Sequence, residues 1–175
     1  LLMSMGAWAE DDLGAWSFGS FMDEFGDKTG GGFLRLTSLG KFSNSATTDS
    51  SLRVEMIFAE SLVDNIVFRL YEYNSSNAVK SISGSNYIYC NVKDNNGLVF
   101  SITLYQLGGW NYFRMREEGG VFRKKKIGGV ERFKNIILKE EIAKFSCSPE
   151  SYKSTKYKFS LDFKDSNKAA RQSGL

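Results

Sequence analysis

The chain has 175 residues, of which 42% are hydrophobic and 25% charged, with a formal net charge of +3. These values are ordinary for a folded protein, so they favour one domain with a sizeable core and exclude extensive disorder. Histidine is absent, which excludes Ser-His and Cys-His catalytic pairs and histidine ligands for zinc. The small net charge also argues against nucleic acid as a partner.

Residues 1–12 have the pattern of a signal peptide that runs into an acidic mature start. Ala7-Trp8-Ala9 supplies the small-x-small motif that signal peptidases recognise. Residues 1–9 are therefore predicted to be a signal-peptide remnant, and residues 10–164 a single domain; the alternative is that residues 1–9 form an ordinary terminal strand. This predicts an exported protein, in the periplasm, outside the cell or at its surface. No later segment has the 18 apolar residues of a membrane span.

The composition favours strands over helices. Aromatic residues make up 14% of the chain, and there are 17 glycines and one proline. Aromatic side chains suit half-buried sheet surfaces, and glycine suits the turns between strands. The predicted fold is all-β, an antiparallel β-sandwich or flattened barrel with at most one short helix.

Alternation of apolar and polar residues indicates four strands in the first half of the chain. Residues 16–21 and 33–36 are expected to pair near the amino end. Residues 52–58 form a further candidate strand, and residues 66–73 a strand with one face toward water.

The clearest unit is a hairpin formed by residues 87–92 and 98–105 around Asn96-Gly97, a dipeptide typical of tight turns. A two-residue loop would place apolar side chains opposite polar ones. A three-residue loop with Gly97 in the left-handed conformation places apolar residues opposite each other. The sequence therefore predicts three pairs: Val92 with Phe100, Cys90 with Ile102, and Ile88 with Leu104.

The second half of the chain shows weaker patterns. Residues 110–116 and 121–127 flank a glycine-rich turn and are predicted to form a hairpin. Residues 133–138 are a candidate strand, and residues 139–145 the one candidate helix. Strict alternation predicts a strand over residues 157–163, and residues 165–175 are predicted to be a polar tail.

Three carboxylates, on Asp23, Glu24 and Asp27, precede the glycine run at residues 30–32. Oxygen ligands on a loop suit Ca²⁺, and two nearby carboxylates can act as general acid and base. The order of residues departs from the EF-hand pattern. A calcium site, a catalytic pair and a solvated acidic turn therefore remain alternatives.

Aromatic and basic residues meet across the second predicted hairpin. Cations beside aromatic rings bind anionic groups, and this predicts a ligand site composed of Trp110, Tyr112, Phe113, Arg123 and Lys125. The alternative is a charged edge strand that prevents aggregation.

Cys90 and Cys147 are the two cysteines. In an oxidising compartment an even number favours a disulfide. The alternative is a pair of thiols, with Cys90 a small apolar residue on the inward face of its strand. A bridge is expected to require Cys147 on the facing layer.

The segments Trp16-Ser17-Phe18-Gly19-Ser20-Phe21, Asp23-Glu24-Phe25-Gly26-Asp27 and Gly40-Lys41-Phe42-Ser43-Asn44-Ser45-Ala46-Thr47 resemble part of an uncharacterised family of exported bacterial all-β proteins. The resemblance covers about the first third of the chain and implies a bacterial envelope setting, with no assigned catalytic or binding residue. The function expected from the sequence is a non-catalytic module that binds a protein or polysaccharide through a sheet face and loops. Two alternatives are a small carbohydrate-active hydrolase that uses the loop carboxylates, and an assembly or inhibitor subunit.

Overall fold

A computed structural model describes residues 16–59, 61–75, 79, 86–106, 112–116, 128–150 and 154–173. The predicted signal-peptide remnant, residues 1–9, and the predicted strand at residues 121–127 lie outside the described residues. In chain order the elements are β1 (Trp16–Met22), β2 (Lys28–Ser43), β3 (Ser50–Phe58), β4 (Val67–Glu72), β5 (Tyr87–Lys93), β6 (Val99–Gln106), β7 (Phe113–Met115), α1 (Gly129–Leu138), β8 (Ile142–Pro149), β9 (Lys156–Asp162) and α2 (Ser166–Ser173).

Eight of these strands form a closed antiparallel barrel. The strand order is β2-β3-β4-β7-β6-β5-β8-β9, and β9 pairs back with β2. The remaining strand, β1, pairs with the first part of β2, where Trp16 lies opposite Leu36. The prediction of an all-β antiparallel fold is confirmed. The sheet closes on itself as a barrel, which is one of the two architectures expected.

Closure of the barrel depends on Gly40. Gly40 of β2 lies opposite Phe159 of β9, and a Cβ atom at this position would stand 2.4 Å from the carbonyl oxygen of Lys158 and 2.7 Å from Cβ of Phe159. Real side chains do not approach backbone this closely, so glycine is the residue that lets the two strands meet.

The hairpin of β5 and β6 has the predicted register. Asp94 N–H donates to Leu98 O at 3.0 Å and Gly97 N–H to Asp94 O at 3.1 Å, which encloses a three-residue loop. Gly97 has φ +82°, the left-handed conformation. All three predicted pairs are present: Val92 with Phe100, Cys90 with Ile102, and Ile88 with Leu104.

Cys90 and Cys147 form a disulfide in the structure. The expectation that the bridge would join facing layers is wrong, because the two residues lie directly opposite each other on the neighbouring strands β5 and β8, with Cα atoms 4.0 Å apart. Both are 1% exposed and belong to the core. The bridge therefore joins two hydrogen-bonded strands that are 57 residues apart in the chain.

Two predictions about helix α1 and strand β8 are wrong. Residues 133–138, predicted as a strand, belong to α1, whose buried positions are Val130, Phe133, Ile136 and Ile137. This spacing forms one apolar stripe on a helix. Most of residues 139–145, the candidate helix, lie instead in a turn and in β8, where Ala143 and Phe145 alternate with exposed residues.

The predicted polar tail at residues 165–175 contains helix α2, so the described chain has two helices and not at most one. Ala169 and Ala170 of α2 are buried against the core. Ser166 Oγ donates to the carbonyl oxygen of Ile137 at 2.9 Å, which joins the start of α2 to the end of α1. Neither helix has the length or apolar character that crossing a membrane requires.

Aromatic side chains of the barrel and of α1 meet in one core. The Phe133 ring of α1 lies 5.5 Å from that of Phe145 and 6.4 Å from that of Phe68, and Phe145 stacks on Phe159 at 4.6 Å. Each is at most 5% exposed. The apolar faces of the strands therefore pack inside the barrel. Side chains that could bind a polar ligand lie on the outer face and in the connections.

Candidate functional site

A cavity of about 480 Å³ lies beside β7, between the outer face of the barrel and the connection that precedes β4. Its volume is in the range of small-molecule sites. Its described lining comes from the connection before β4, from β5 and β6, and from β7 with the residue after it. The connection supplies Val63, Asn65 and Ile66, β5 and β6 supply Tyr87 and Tyr105, and Arg114, Met115 and Arg116 come from β7 and its end.

Three of the polar lining residues form a row across neighbouring strands. Tyr87 of β5 lies opposite Tyr105 of β6, and Tyr105 lies opposite Arg114 of β7. Successive side chains of a strand point to opposite faces, and the residues next to these in sequence are buried in the core: Ile88, Leu104 and Phe113. The row therefore faces outward.

Both arginines of the cavity lie near aromatic rings. The Arg116 guanidinium lies 5.7 Å from the centroid of Tyr87, and that of Arg114 lies 5.9 Å from the centroid of Tyr112. These distances are within the range of cation–π attraction. Arg114 Nε is buried and has no hydrogen-bond acceptor, although buried donors in proteins are normally paired.

The described lining of the cavity contains no carboxylate. Two acidic residues of the described chain adjoin the lining in sequence or space, and both are engaged elsewhere; Glu117, which follows Arg116 in the sequence, lies outside the described residues. Asp64 Oδ1 lies 3.7 Å from Lys134 Nζ, and its other oxygen accepts a hydrogen bond from Ser61. Glu150 accepts a hydrogen bond from the Tyr89 hydroxyl at 3.1 Å, and this bond, with the nearby negative charge, raises the pKa of Tyr89. Among the described residues, none therefore balances the positive charge of the cavity from within its lining.

One arginine elsewhere on the outer face of the barrel is paired with an acid. On β2 and β3, Arg35 lies 3.7 Å from Glu55, which is only 5% exposed. The Tyr71 hydroxyl donates to Glu55 at 2.8 Å, and burial together with this carboxylate raises the pKa of Tyr71. Arg53 in the same cluster lies 4.1 Å from the centroid of the Tyr71 ring, and its buried Nε also has no acceptor. What distinguishes the cavity is therefore that its described lining holds two arginines and no carboxylate.

The predicted ligand site is only partly within the described chain. Phe113 is 0% exposed inside the barrel, so its assignment to a surface site is wrong. Because successive side chains of a strand point to opposite faces, its neighbour Arg114 points outward. Tyr112 is half-buried just before β7 and contacts Arg114. Trp110, Arg123 and Lys125 lie outside the described residues.

The acidic residues Asp23, Glu24 and Asp27 are exposed on the turn between β1 and β2. Asp23 Oδ1 accepts hydrogen bonds from the amides of Phe25 and Asp27, both at 2.9 Å, so this carboxylate already stabilises the turn. Among the described residues no three potential metal ligands come together. Calcium binding at these three residues remains a prediction, and none of them lines the cavity.

Four polar residues of the cavity lie on predicted strands and were not identified from the sequence: Tyr87, Tyr105, Arg114 and Arg116. Alternation along the predicted strands was a usable signal, because each is an outward neighbour of an apolar residue. Nothing in the sequence indicated that β7 would lie between β4 and β6, and that neighbourhood is what gathers these residues.

Chemically, the cavity offers two fixed cations, two aromatic faces and an apolar side made by Ile66, Met115 and Val63. Arginine donates to carboxylate or phosphate oxygens in a planar fork, and tyrosine stacks on rings. Comparison of the chain with protein-family models, curated proteins and solved structures finds no match, so this geometry alone supports a functional assignment.

Proposed function

We propose that the protein is a non-catalytic binding module that takes a ligand with an anionic group into the cavity lined by Tyr87, Tyr105, Arg114 and Arg116. The observation that carries the proposal is the pair of arginines in a cavity whose described lining has no acidic residue. A buried Nε–H of Arg114 without an acceptor is satisfied when a carboxylate or phosphate oxygen binds.

The rest of the lining indicates what else the ligand carries. Tyr87 and Tyr105 stand side by side on neighbouring strands, and Ile66 is buried next to them in the lining. Aromatic and aliphatic walls favour an apolar or ring-containing body attached to the anionic group. A small aromatic or alicyclic acid, or a sugar acid, has this combination.

Two alternatives receive less support from the described residues. A carbohydrate-active hydrolase needs two carboxyl groups facing each other across a cleft, whereas Asp23, Glu24 and Asp27 stand on an exposed turn. An assembly subunit needs an exposed strand edge for pairing with its partner. Because the other eight described strands close into the barrel, β1 is the described strand with an unpaired edge.

The proposed setting is an exported protein of a bacterial envelope. The Cys90–Cys147 bridge supports it, because disulfides persist in oxidising compartments. The predicted signal-peptide remnant at residues 1–9 agrees with the same setting. A calcium ion at the β1–β2 turn would belong to this proposal as a stabilising ion, and removal of calcium by EGTA should then lower the melting temperature.

Fluorescence titration with anilinonaphthalene sulfonate tests the binding proposal, since this probe joins aromatic rings to a fixed negative charge. Phenylnaphthylamine, with similar rings and no charge, serves as the neutral probe. We expect one saturable site for the anionic probe and a loss of affinity of about tenfold or more in Arg116→Gln and Arg114→Gln, because each removes a charge-assisted contact. Arg171→Gln, an exposed arginine of α2, is the matched control.

The neutral probe should bind more weakly than the anionic one and should be insensitive to the arginine substitutions. Anionic-probe binding that is equal in Arg116→Gln, Arg114→Gln and Arg171→Gln would contradict the proposal, as would the absence of saturable binding. Far-ultraviolet circular dichroism and a melting curve for each variant exclude unfolding as the cause of a loss.

A further inference from the structure

Lysines lie directly opposite each other on neighbouring strands in one part of the barrel, which is formed by β5, β8, β9 and β2. Lys93 of β5 lies opposite Lys144 of β8, and Lys158 of β9 lies opposite Lys41 of β2. All four side chains are exposed on the outer face. A fifth lysine, Lys156, is exposed on the same face of β9. We call these five residues the lysine face.

Such pairs are unfavourable for folding. Like charges directly opposite each other on paired strands repel, whereas an opposite charge at the same position would stabilise the sheet. A sequence keeps an unfavourable local choice of this kind mainly where function requires it. Two such pairs on one face therefore need an explanation beyond solubility.

Protection of a sheet edge does not explain them. Lysine on an edge strand prevents pairing with other chains, but each of these strands has a neighbour on both sides. β5 lies between β6 and β8, and β9 lies between β8 and β2, through which the barrel closes. The lysines consequently stand in the middle of a closed sheet.

Acidic residues do not neutralise the lysine face. Within the described ranges, the ion pairs of lysine are those of Lys134 on α1, and none of the five lysines has a carboxylate oxygen within 4.0 Å of its ammonium group. Asp162 at the end of β9 and Glu150 after β8 stand at opposite margins of the face. Glu150 is engaged by the Tyr89 hydroxyl.

Between the lysines the face presents hydroxyl and amide groups. Five outward positions of these strands and of β6 hold hydroxyl or amide side chains, and four others hold exposed aromatic or aliphatic ones. The polar five are Asn91, Ser101, Ser146, Ser148 and Ser160; the others are Leu39, Tyr89, Val99 and Ile142. Ser101 Oγ donates to Asn91 Oδ1 at 3.0 Å, and Lys156 Nζ donates to Ser148 Oγ at 2.8 Å. These groups can donate to and accept from a hydroxylated partner.

We propose that the lysine face is a docking surface for an acidic polysaccharide. A chain of carboxylated sugars supplies repeated negative charges to the lysines and hydroxyls to the serines, which is the complement of what the face presents. Single-stranded nucleic acid stacks on a series of aromatic side chains, whereas the described part of this face has one exposed ring, Tyr89, whose hydroxyl donates to Glu150. Membrane insertion needs a continuous apolar stripe beside the cations, whereas the exposed apolar residues Leu39, Val99 and Ile142 stand singly on three different strands. The proposal is independent of the cavity and survives if the cavity binds nothing.

The test separates binding from folding. In the double variant Lys144→Glu with Lys158→Glu, each repulsive pair becomes an attractive one, so we expect a melting temperature equal to or higher than that of the original chain. Affinity for polygalacturonate, measured by calorimetry or gel retardation at low salt, should fall at least tenfold. The control is Lys139→Glu with Lys168→Glu, two exposed lysines on the helical side of the molecule that change the net charge equally.

Polygalacturonate binding by the original chain should weaken as salt is added, since it depends on charge, and neutral dextran should not bind. Equal loss of affinity in the two double variants would overturn the proposal, because net charge alone would then explain binding. Tighter binding to a single-stranded oligonucleotide or to anionic lipid vesicles than to polygalacturonate would also overturn it. The double variant Lys144→Glu with Lys158→Glu should still bind anilinonaphthalene sulfonate in the cavity with the affinity of the original chain, which distinguishes this surface from the cavity.

Discussion

Tyr105 of β6 and Arg114 of β7 lie directly opposite each other, and both side chains line the cavity on the outer face of the barrel. The pairing holds an aromatic ring and a guanidinium on adjacent strands. Because both are carried by strands of a closed sheet, neither has to be ordered when a ligand binds, and this lowers the entropic cost of recognition.

The disulfide is expected to stabilise the folded protein. Replacing both Cys90 and Cys147 by alanine should lower the free energy of unfolding by about 4 kcal/mol, because the bridge closes a loop of 57 residues in the unfolded chain. Urea unfolding of the variant and the original protein measures the difference. The denatured, unreduced protein should contain no alkylatable thiol, and detection of two would refute the bridge.

Stability is also expected to depend on glycine at position 40. Gly40→Ala should destabilise the protein by about 1–3 kcal/mol, since its Cβ would collide with backbone of β9 where the barrel closes. Gly31→Ala on the same strand is the control, because its Cβ would meet the Phe21 ring at 3.2 Å, and this half-buried side chain, unlike backbone, can move. Equal stability of the two variants would show that the close approach of β2 and β9 is not required.

The free energy of unfolding is expected to depend on pH through Tyr157. Its hydroxyl donates to Glu72 Oε1 at 2.8 Å, and burial, reinforced by this carboxylate, raises its pKa well above the usual range. The folded protein therefore holds this proton more tightly than the unfolded chain. The stability that it contributes is complete below about pH 10, the ordinary tyrosine pKa, and is lost as the pH rises further.

Urea unfolding at neutral and at alkaline pH measures this effect. Tyr157→Phe should be less stable by about 1–2 kcal/mol near neutral pH because Glu72 loses its donor. Its stability should then fall less steeply than that of the original protein above about pH 10. Tyr73→Phe, which removes the hydroxyl of a tyrosine that is 60% exposed, is the control. Parallel curves for the original protein and Tyr157→Phe would contradict the argument.

Local patterns predicted one complete hairpin and most of the other strands, but not β8. The register of β5 and β6 followed from placing apolar residues opposite each other and from Gly97 in the turn, both of which are encoded within 20 residues. The same reasoning fails for α1, because residues 133–138 alone are too short to show a helical period. Including Val130 reveals helical spacing through Phe133 to Ile137.

Long-range relationships could not be predicted in this way. The pairing of Gly40 with Phe159 closes the barrel across more than a hundred residues, and no turn or periodicity signals it. Helix α2 buries only small side chains, Ser166, Ala169 and Ala170, in a segment with a polar composition. The cavity depends on the same long-range order, since Arg114 reaches Tyr105 and Val67 only through the placement of β7.

The central claim is that Arg114 and Arg116 bind the anionic group of a ligand, and arginine side-chain NMR tests it most directly. In a titration with benzoate, the Nε–H resonances of Arg114 and Arg116 should shift together with one saturation curve, while that of Arg171 on α2 stays in place. Cyclohexanol, a neutral ring, should shift neither cavity resonance to the same extent. Benzoate-induced shifts that are equal at Arg171 and at the two cavity arginines, or absent at all three, would contradict the claim.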